Sequence, residues 1–201
     1  MVYKVFKRLL DFFLALIALV ILLIPILILI IWIKCDSRGP VVFKQKRVGK
    51  GKSYFNIYKF RTMSIDTPKD TPTHLLKNPE QYITRAGRFL RKTSLDELPQ
   101  LINILKGDMA IVGPRPALWN QFDLIEERDK YGANDILPGL TGWAQINGRD
   151  ELEINVKARL DGEYVEKMSL GMDIKCIVKT FKSVFLHEGV VEGGTGAIKD
   201  K

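Results

Sequence analysis

The stretch FFLALIALVILLIPILILIIWI, Phe12 to Ile33, carries no charge and holds one proline, Pro25, near its centre. About 20 apolar residues at a helical rise of ~1.5 Å each cover a hydrocarbon core of ~30 Å, so the run is long enough to reach across a bilayer. Its flanks argue against a simple crossing. Lys4, Lys7 and Arg8 precede it, and Lys34, Arg38, Lys44, Lys46 and Arg47 follow it. Positive residues favour the cytoplasmic side, and here both flanks claim that side. Pro25 removes a backbone donor and crowds the preceding turn, which bends a helix. A re-entrant helical hairpin satisfies both signals; an ordinary single-pass anchor with a tolerated proline is the alternative. A cleaved signal peptide fits less well, because Lys34-Cys35-Asp36-Ser37-Arg38 follows where a small-x-small site would stand.

Working outward, the chain has 201 residues, and the about 165 beyond the apolar segment suffice for one domain with its own core. A formal net charge of +8 and a pI near 9.4 suit anionic lipid headgroups, a phosphate-rich substrate or nucleic acid. Cys35 and Cys176 lie beside apolar segments far apart in sequence, which predicts thiols rather than a disulfide and places the domain beyond the apolar run in the cytosol. With His74 and His187 the only histidines and no paired Cys or His spacing, any metal is a hard ion held by carboxylates, not zinc.

Val41 to Lys44 and Tyr54 to Phe60 read as two strands joined by a turn at Gly49-Lys50-Gly51. Gly51-Lys52-Ser53 is not a phosphate-binding P-loop, since Lys46 stands where the first glycine is needed. Ser64 to Pro79, with Pro68, Pro72 and Pro79, reads as an exposed loop. Arg85 to Arg91 is expected to be helical. A second helix should begin at Ser94-Leu95-Asp96-Glu97, with apolar positions Leu95, Leu98, Ile102 and Leu105 at helical spacing, and end at Gly107. Gly113 to Pro116 is rigid, Phe122 to Tyr131 a charged helix, and Pro138 to Gly148 glycine-rich and irregular. Leu170 to Phe185 forms an amphipathic stripe that suits a core helix or a membrane-surface helix. The tail from Gly189 is expected to be disordered.

Asp96 and Glu97 have two readings. Ser94 with Glu97 three residues on is a capping box, and acids in a first turn complement the helix dipole. Against that stands their company: Arg85, Arg88, Arg91 and Lys92 lie just upstream, and Arg115 sits between Pro114 and Pro116. Guanidinium groups around a helix start suit phosphate, and two carboxylates among them could hold Mg²⁺ or attack phosphorus.

Five ordered blocks carry a resemblance. They are Lys7-Arg8 with Asp11-Phe12; Val41 to Met63, containing Phe43-Lys44-Gln45-Lys46-Arg47 and Lys59-Phe60-Arg61-Thr62-Met63; Ser94 to Gln100; Gly113 to Pro116; and Pro138 to Arg149. Together, over about Lys4 to Phe185, the chain resembles the bacterial sugar transferases known as small monotopic phosphoglycosyl transferases. The resemblance implies a mostly helical α/β (α+β) fold. It comprises a re-entrant membrane helix hairpin over residues 1–36, a cytosolic catalytic domain over 37–188 with a β-hairpin and amphipathic interfacial helices, and a flexible tail over 189–201. It also implies residence at the bacterial cytoplasmic membrane and transfer of a sugar 1-phosphate from a UDP-sugar to polyprenol phosphate, with release of UMP. By match to the motif, Asp96 is the nucleophile that forms an aspartyl-phosphosugar intermediate. Glu97 helps Asp96 hold Mg²⁺, and Arg115, in the turn Pro114-Arg115-Pro116, engages the nucleotide or its phosphates. Lys59, Arg61, Arg91 and Arg149 are expected as further phosphate contacts. One departure concerns the membrane helix, where Ile24 stands in place of the serine that commonly precedes the kinking proline in the family. A serine hydroxyl can help satisfy backbone groups freed at a kink.

A membrane-tethered nucleic-acid-binding or scaffold protein is the competing class. Tyr54, Phe55, Tyr58 and Phe60 near lysines invite it, yet they fit a half-buried hairpin, so nucleic acid is not an expected partner. The segment from Asp150 to Tyr164 could read the hexose; the identity of the sugar and any homo-oligomer are not legible.

Overall fold

The computed structural model describes residues 2–67, 79–148 and 152–186. Pro68, Pro72, His74, Arg149, Asp150, His187 and the expected tail lie outside the described residues.

Helix α1 (Val2–Ile21) runs through Leu22 into α2 (Leu23–Asp36), and the two are bent by 64°. The break falls at Leu22 rather than at Pro25, and the physical reason is simple. Pro25 has no N–H to give the carbonyl four residues back, that of Ile21, and its ring crowds the same carbonyl. On either side the ladder continues, with Leu22 N–H donating to Ala18 O at 2.9 Å and Ile26 N–H to Leu22 O at 2.8 Å. Neither helix alone is long and apolar enough to cross a membrane; together the bent pair has the length and composition.

The pair lies against the rest of the chain. On α1 the buried positions are Lys7, Asp11 and Ala15, four residues apart. Ala15 packs with Ile57, Leu101, Ile104 and Met109. On α2, Leu29 and Ile33 pack with Phe60, Ala86 and Leu90. The opposite faces expose nine large apolar side chains on α1 and six on α2, from Val5 to Trp32. Each forgoes roughly 1 kcal/mol of the ~1.5–3 that complete burial yields. Summed over fifteen residues that is on the order of 15 kcal/mol, comparable to the whole stability of an ordinary domain. Among the described residues, no other part of the chain covers this face.

Strands β1 (Val42–Val48) and β2 (Tyr54–Phe60) form the expected antiparallel hairpin, paired from Val42 opposite Phe60 to Val48 opposite Tyr54. β1 runs four residues past the expected end at Lys44. Polar Lys46 is accommodated because its ammonium lies 4.0 Å from the centre of the Tyr54 ring and 5.5 Å from that of Trp119. Helix α3 (Arg85–Thr93) starts at Thr84, whose hydroxyl accepts from Gly87 N–H at 2.9 Å, while Asp36 at the end of α2 accepts from Ala86 N–H at 3.0 Å. The helix expected from Ser94 is divided: Leu95–Glu97 is a 3-10 turn, and α4 (Gln100–Lys106) begins only after Pro99, which cannot donate a ladder bond. Gly107 ends α4 in the left-handed conformation, φ 91°, as expected.

The glycine-rich stretch from Pro138 to Gly148 corrects the expectation of irregular chain. It contains β4 (Gly139–Thr141), parallel to β3 (Ala110–Val112), and the short helix α6 (Trp143–Ile146). Its glycines serve close approach: a Cβ on Gly139 or on Gly142 would strike the backbone of Gly113. Between these strands lies α5 (Phe122–Asp129), and α7 (Ile154–Glu166) and α8 (Leu170–Leu186) complete the fold. Arg128 of α5 places Nε and Nη2 at 2.8 and 2.6 Å from Asp161 Oδ2 of α7 in a buried pair. α8 uses two faces at once. Met172, Cys176 and Ile177 pack on Val112, Ile136 and Tyr164, whereas Leu170, Ile174, Val178 and Phe181 are exposed. Both cysteines are free, Cys176 buried and Cys35 exposed.

Three cations of the sequence close the structure on itself. Lys7 Nζ reaches Asp173 Oδ2 at 2.7 Å and Asp11 Oδ2 at 3.3 Å, and Tyr3 and Tyr164 hydroxyls donate to the same Asp173 at 2.8 and 2.7 Å. Arg8 donates to the carbonyls of Ile104 and Leu105 at the end of α4. Arg61 does the same for α2, donating to Ser37 O at 2.7 Å, Ser37 Oγ at 2.9 Å and Pro40 O. Cations at helix C-termini offset the dipole and satisfy the last carbonyls.

Candidate active site

Asp96 and Glu97 are delivered by a sharp reversal. Ser94 closes α3 with φ 56° and ψ 15°, a left-handed conformation uncommon for a residue with a side chain. The 3-10 turn that follows carries both carboxylates toward the end of β2. The capping box is not formed, since Ser94 makes no side-chain cap bond. The Glu97 carboxylate is occupied elsewhere: Oε1 accepts from Lys59 Nζ at 2.7 Å and from Arg115 Nη2 at 3.3 Å. Lys59 also stands 3.7 Å from Asp96 Oδ2, an ion pair longer than a hydrogen bond.

The two acids differ in electrostatics. Burial alone would raise the Glu97 carboxyl, but Lys59 and Arg115, as neighbouring cations and as donors, hold it at about 2. Burial raises Asp96, the negative charge of Glu97 adds to that, and Lys59, Arg91 and Arg115 pull back without cancelling it. One carboxylate is thus locked ionised by two cations. Its neighbour is a more basic carboxylate with its side chain 14% exposed.

Arg115 is held on either side. On the side of β4, Gly113 N–H donates to Thr141 O and Pro114 O accepts from Gly139 N–H, both at 2.8 Å. Toward the hairpin, Pro116 O accepts from Arg47 Nη1 at 3.0 Å and Ala117 O from Val48 N–H at 3.0 Å. Arg91 is oriented by Thr62, whose hydroxyl accepts from Nε at 3.0 Å.

The structure therefore gathers Lys59, Asp96, Glu97 and Arg115, with Arg91 near enough to act on Asp96 and Pro114 and Pro116 flanking Arg115. Arg61, expected beside them as a phosphate contact, is 5% exposed and turned to the end of α2, where backbone carbonyls occupy it. Arg149 lies outside the described residues. Thr62 and Arg47 have supporting roles that sequence reading did not assign, although both sit in the blocks that carry the family resemblance. Asp96 and Glu97 offer hard oxygen donors of the kind Mg²⁺ takes, which prefers one or two carboxylates supplemented by substrate phosphate and water. Among the described residues no three or more His, Cys, Asp or Glu side chains group together as metal ligands.

The sequence pattern of the bacterial sugar transferases matches residues 2–187. The chain belongs to that family. It is 40% identical over 186 residues to the uncharacterized sugar transferase EpsL of Bacillus subtilis, covering 92% of this chain and 90% of the relative. It is 39% identical over 196 residues to the UDP-glucose:undecaprenyl-phosphate glucose-1-phosphate transferase of Escherichia coli, covering 93% of this chain and 42% of the relative. A UDP-N-acetylgalactosamine-undecaprenyl-phosphate N-acetylgalactosaminephosphotransferase of Aeromonas hydrophila is 36% identical over 195 residues, covering 94% and 45%. The chain thus spans nearly all of the Bacillus relative and less than half of the other two.

Proposed function

We propose that the protein transfers a sugar 1-phosphate from a UDP-sugar to undecaprenyl phosphate, releasing UMP, at the cytoplasmic face of the bacterial inner membrane. The unequal carboxylate pair carries this reading. Glu97 is committed to Lys59 and Arg115, which leaves the more basic Asp96 to act as nucleophile. In the first step an Asp96 oxygen attacks the β-phosphorus. The bond from that phosphorus to the bridging oxygen breaks, and UMP leaves with the electron pair. In the second step an oxygen of undecaprenyl phosphate attacks the same phosphorus and the Asp96 carboxylate departs. The acceptor is already an anion, so neither step needs a base on the acceptor. Arg115 and Arg91 would orient the diphosphate and Lys59 would balance charge between the carboxylates. Asp96 and Glu97 would hold Mg²⁺, which when bound would offset negative charge on the diphosphate.

The membrane placement is part of the same proposal. Residues 1–36 form a re-entrant hairpin serving as the membrane-associated part, and residues 37–188 form the catalytic part. Both ends of the hairpin are tied to the same domain, through Tyr3, Lys7 and Arg8 at one end and through Arg61 and Asp36 at the other. That supports a chain that enters and leaves on one side, with its exposed apolar face in lipid.

The test is UMP release by detergent-solubilised protein with undecaprenyl phosphate, Mg²⁺ and a panel of UDP-hexoses and UDP-N-acetylhexosamines. One sugar should be turned over in a lipid-dependent way. A stoichiometric UMP burst without lipid, with a phosphosugar mass on the peptide containing Asp96, supports the covalent route. Lipid-independent hydrolysis, or no release with any sugar, overturns the reading.

A further inference from the structure

We propose that Arg47 is a positioning residue whose guanidinium sets the pose of Arg115 at the site; the inference rests on reading Arg115 as a contact for the donor's diphosphate. Arg47 stands near the end of β1, far along the hairpin from Lys59 on β2. Its Nη1 donates to Pro116 O at 3.0 Å and its Nη2 to Gln45 Oε1 at 2.7 Å. Gln45 and Arg47 lie two apart on one strand and so share a face of the hairpin. Gln45 therefore orients the fork that grips the Pro116 carbonyl. Beyond it the bridge between Arg47 and Leu118 and the bond from Val48 N–H to Ala117 O attach residues 116–118 to the hairpin edge.

The consequence for the site follows from chain geometry. Pro114 and Pro116 each fix one backbone torsion, which leaves the Arg115 region few internal freedoms. What remains adjustable is where the two ends of the turn are held. One end is fixed by backbone bonds to β4. The other is fixed by the Arg47 side chain and the Val48 amide. The same hairpin carries Lys59, so both cations that grip Glu97 Oε1 are referenced to one rigid element. A planar fork with two simultaneous acceptors suits this role in a way that the single ammonium of lysine does not.

The test compares Arg47→Gln, Arg47→Lys, Arg115→Ala and the double variant Arg47→Gln/Arg115→Ala in the full chain, reading KM for UDP-sugar and kcat by UMP release. Loss of a charge-assisted contact predicts a fall of about 10- to 100-fold in kcat/KM for Arg115→Ala, carried by KM. Arg47→Gln should fall by about tenfold, and Arg47→Lys should lie between it and the parent. Because Arg47 acts through Arg115, the double variant should be within about threefold of Arg115→Ala alone. Multiplicative losses in the double variant, or a parental KM in Arg47→Gln, overturn the positioning role. Parental kinetics in Arg115→Ala instead overturn the reading of the site. Should Arg47→Gln fail to fold, Gln45→Leu, which removes the second acceptor of the fork, takes its place in the cycle under the same criteria.

Discussion

Lys7 Nζ lies 2.7 Å from Asp173 Oδ2, an almost fully buried ion pair between residues 166 apart in sequence. It joins the start of the bent apolar helix pair to the helix that ends the described chain, and it makes the topology testable. Val2→Cys and Ser37→Cys, in a background without Cys35 and Cys176, should both react only from the cytoplasmic side of intact cells. Labelling of Val2→Cys from outside would sink the re-entrant arrangement.

Removing one partner of a buried pair costs up to about 3–5 kcal/mol, and less here because Lys7 keeps Asp11 at 3.3 Å as a second carboxylate. Asp173→Asn should therefore loosen the N-terminus. Pro25→Ala restores the donor missing at the bend and favours a straight helix. The double variant Pro25→Ala/Asp173→Asn should move a larger fraction of N-termini across the membrane than Pro25→Ala alone, measured by the same labelling. Equal fractions would show that Lys7 and Asp173 do not hold the topology.

Asp96→Asn keeps the shape of the side chain and removes the attacking charge. UMP release should fall at least about a thousandfold, whereas a loss within tenfold, about 1.4 kcal/mol of barrier, would refute the nucleophile assignment. Glu97→Gln releases Lys59 and Arg115 from their shared carboxylate. It should lower the rate and raise the Mg²⁺ concentration required; unchanged metal dependence would remove Glu97 from the metal site.

Arg61 separates structural from substrate roles. Arg61→Met leaves the carbonyls at the end of α2 without their buried donor, at about 2–3 kcal/mol. Thermal stability should drop while KM for UDP-sugar in the folded protein stays within about twofold of the parent. A large rise in KM with unchanged stability would return Arg61 to the phosphate site.

The two cysteines should differ sharply toward a maleimide. Cys35 is exposed, while burial and then the nearby Asp173 charge push the Cys176 thiol up to about 11. At pH 8 only about one Cys176 in a thousand is then a thiolate. Cys35 should label in the folded protein and Cys176 only after denaturation. Comparable rates in the folded state would contradict the packing of α8.

Much of the local structure was legible because periodicity and turn chemistry are local. The β-hairpin, the start of α3 at Arg85, the end of α4 at Gly107 and the helical stripe of α8 all follow from residues within one or two turns of each other. The bend near Pro25 followed from a missing donor. The carboxylate pair, Asp96 and Glu97, stood out by its cationic company. Where local reading failed, one cause was itself local, Pro99 delaying the start of α4, and the other was packing between distant segments. The Pro138 to Gly148 glycines look like loop residues until Gly113 is brought against them.

By itself, then, the sequence determined that an apolar run with one proline and basic flanks opens the chain, and that two acids sit among arginines before a short helix. Only tertiary structure decided which arginine does what. Arg61 and Arg8 close helix ends, Arg128 pairs with Asp161, and Arg115 reaches Glu97. A guanidinium is equally able to grip a phosphate, a carboxylate or a backbone carbonyl. The partner it finds depends on which long-range contacts the fold makes, and no local pattern encodes that choice.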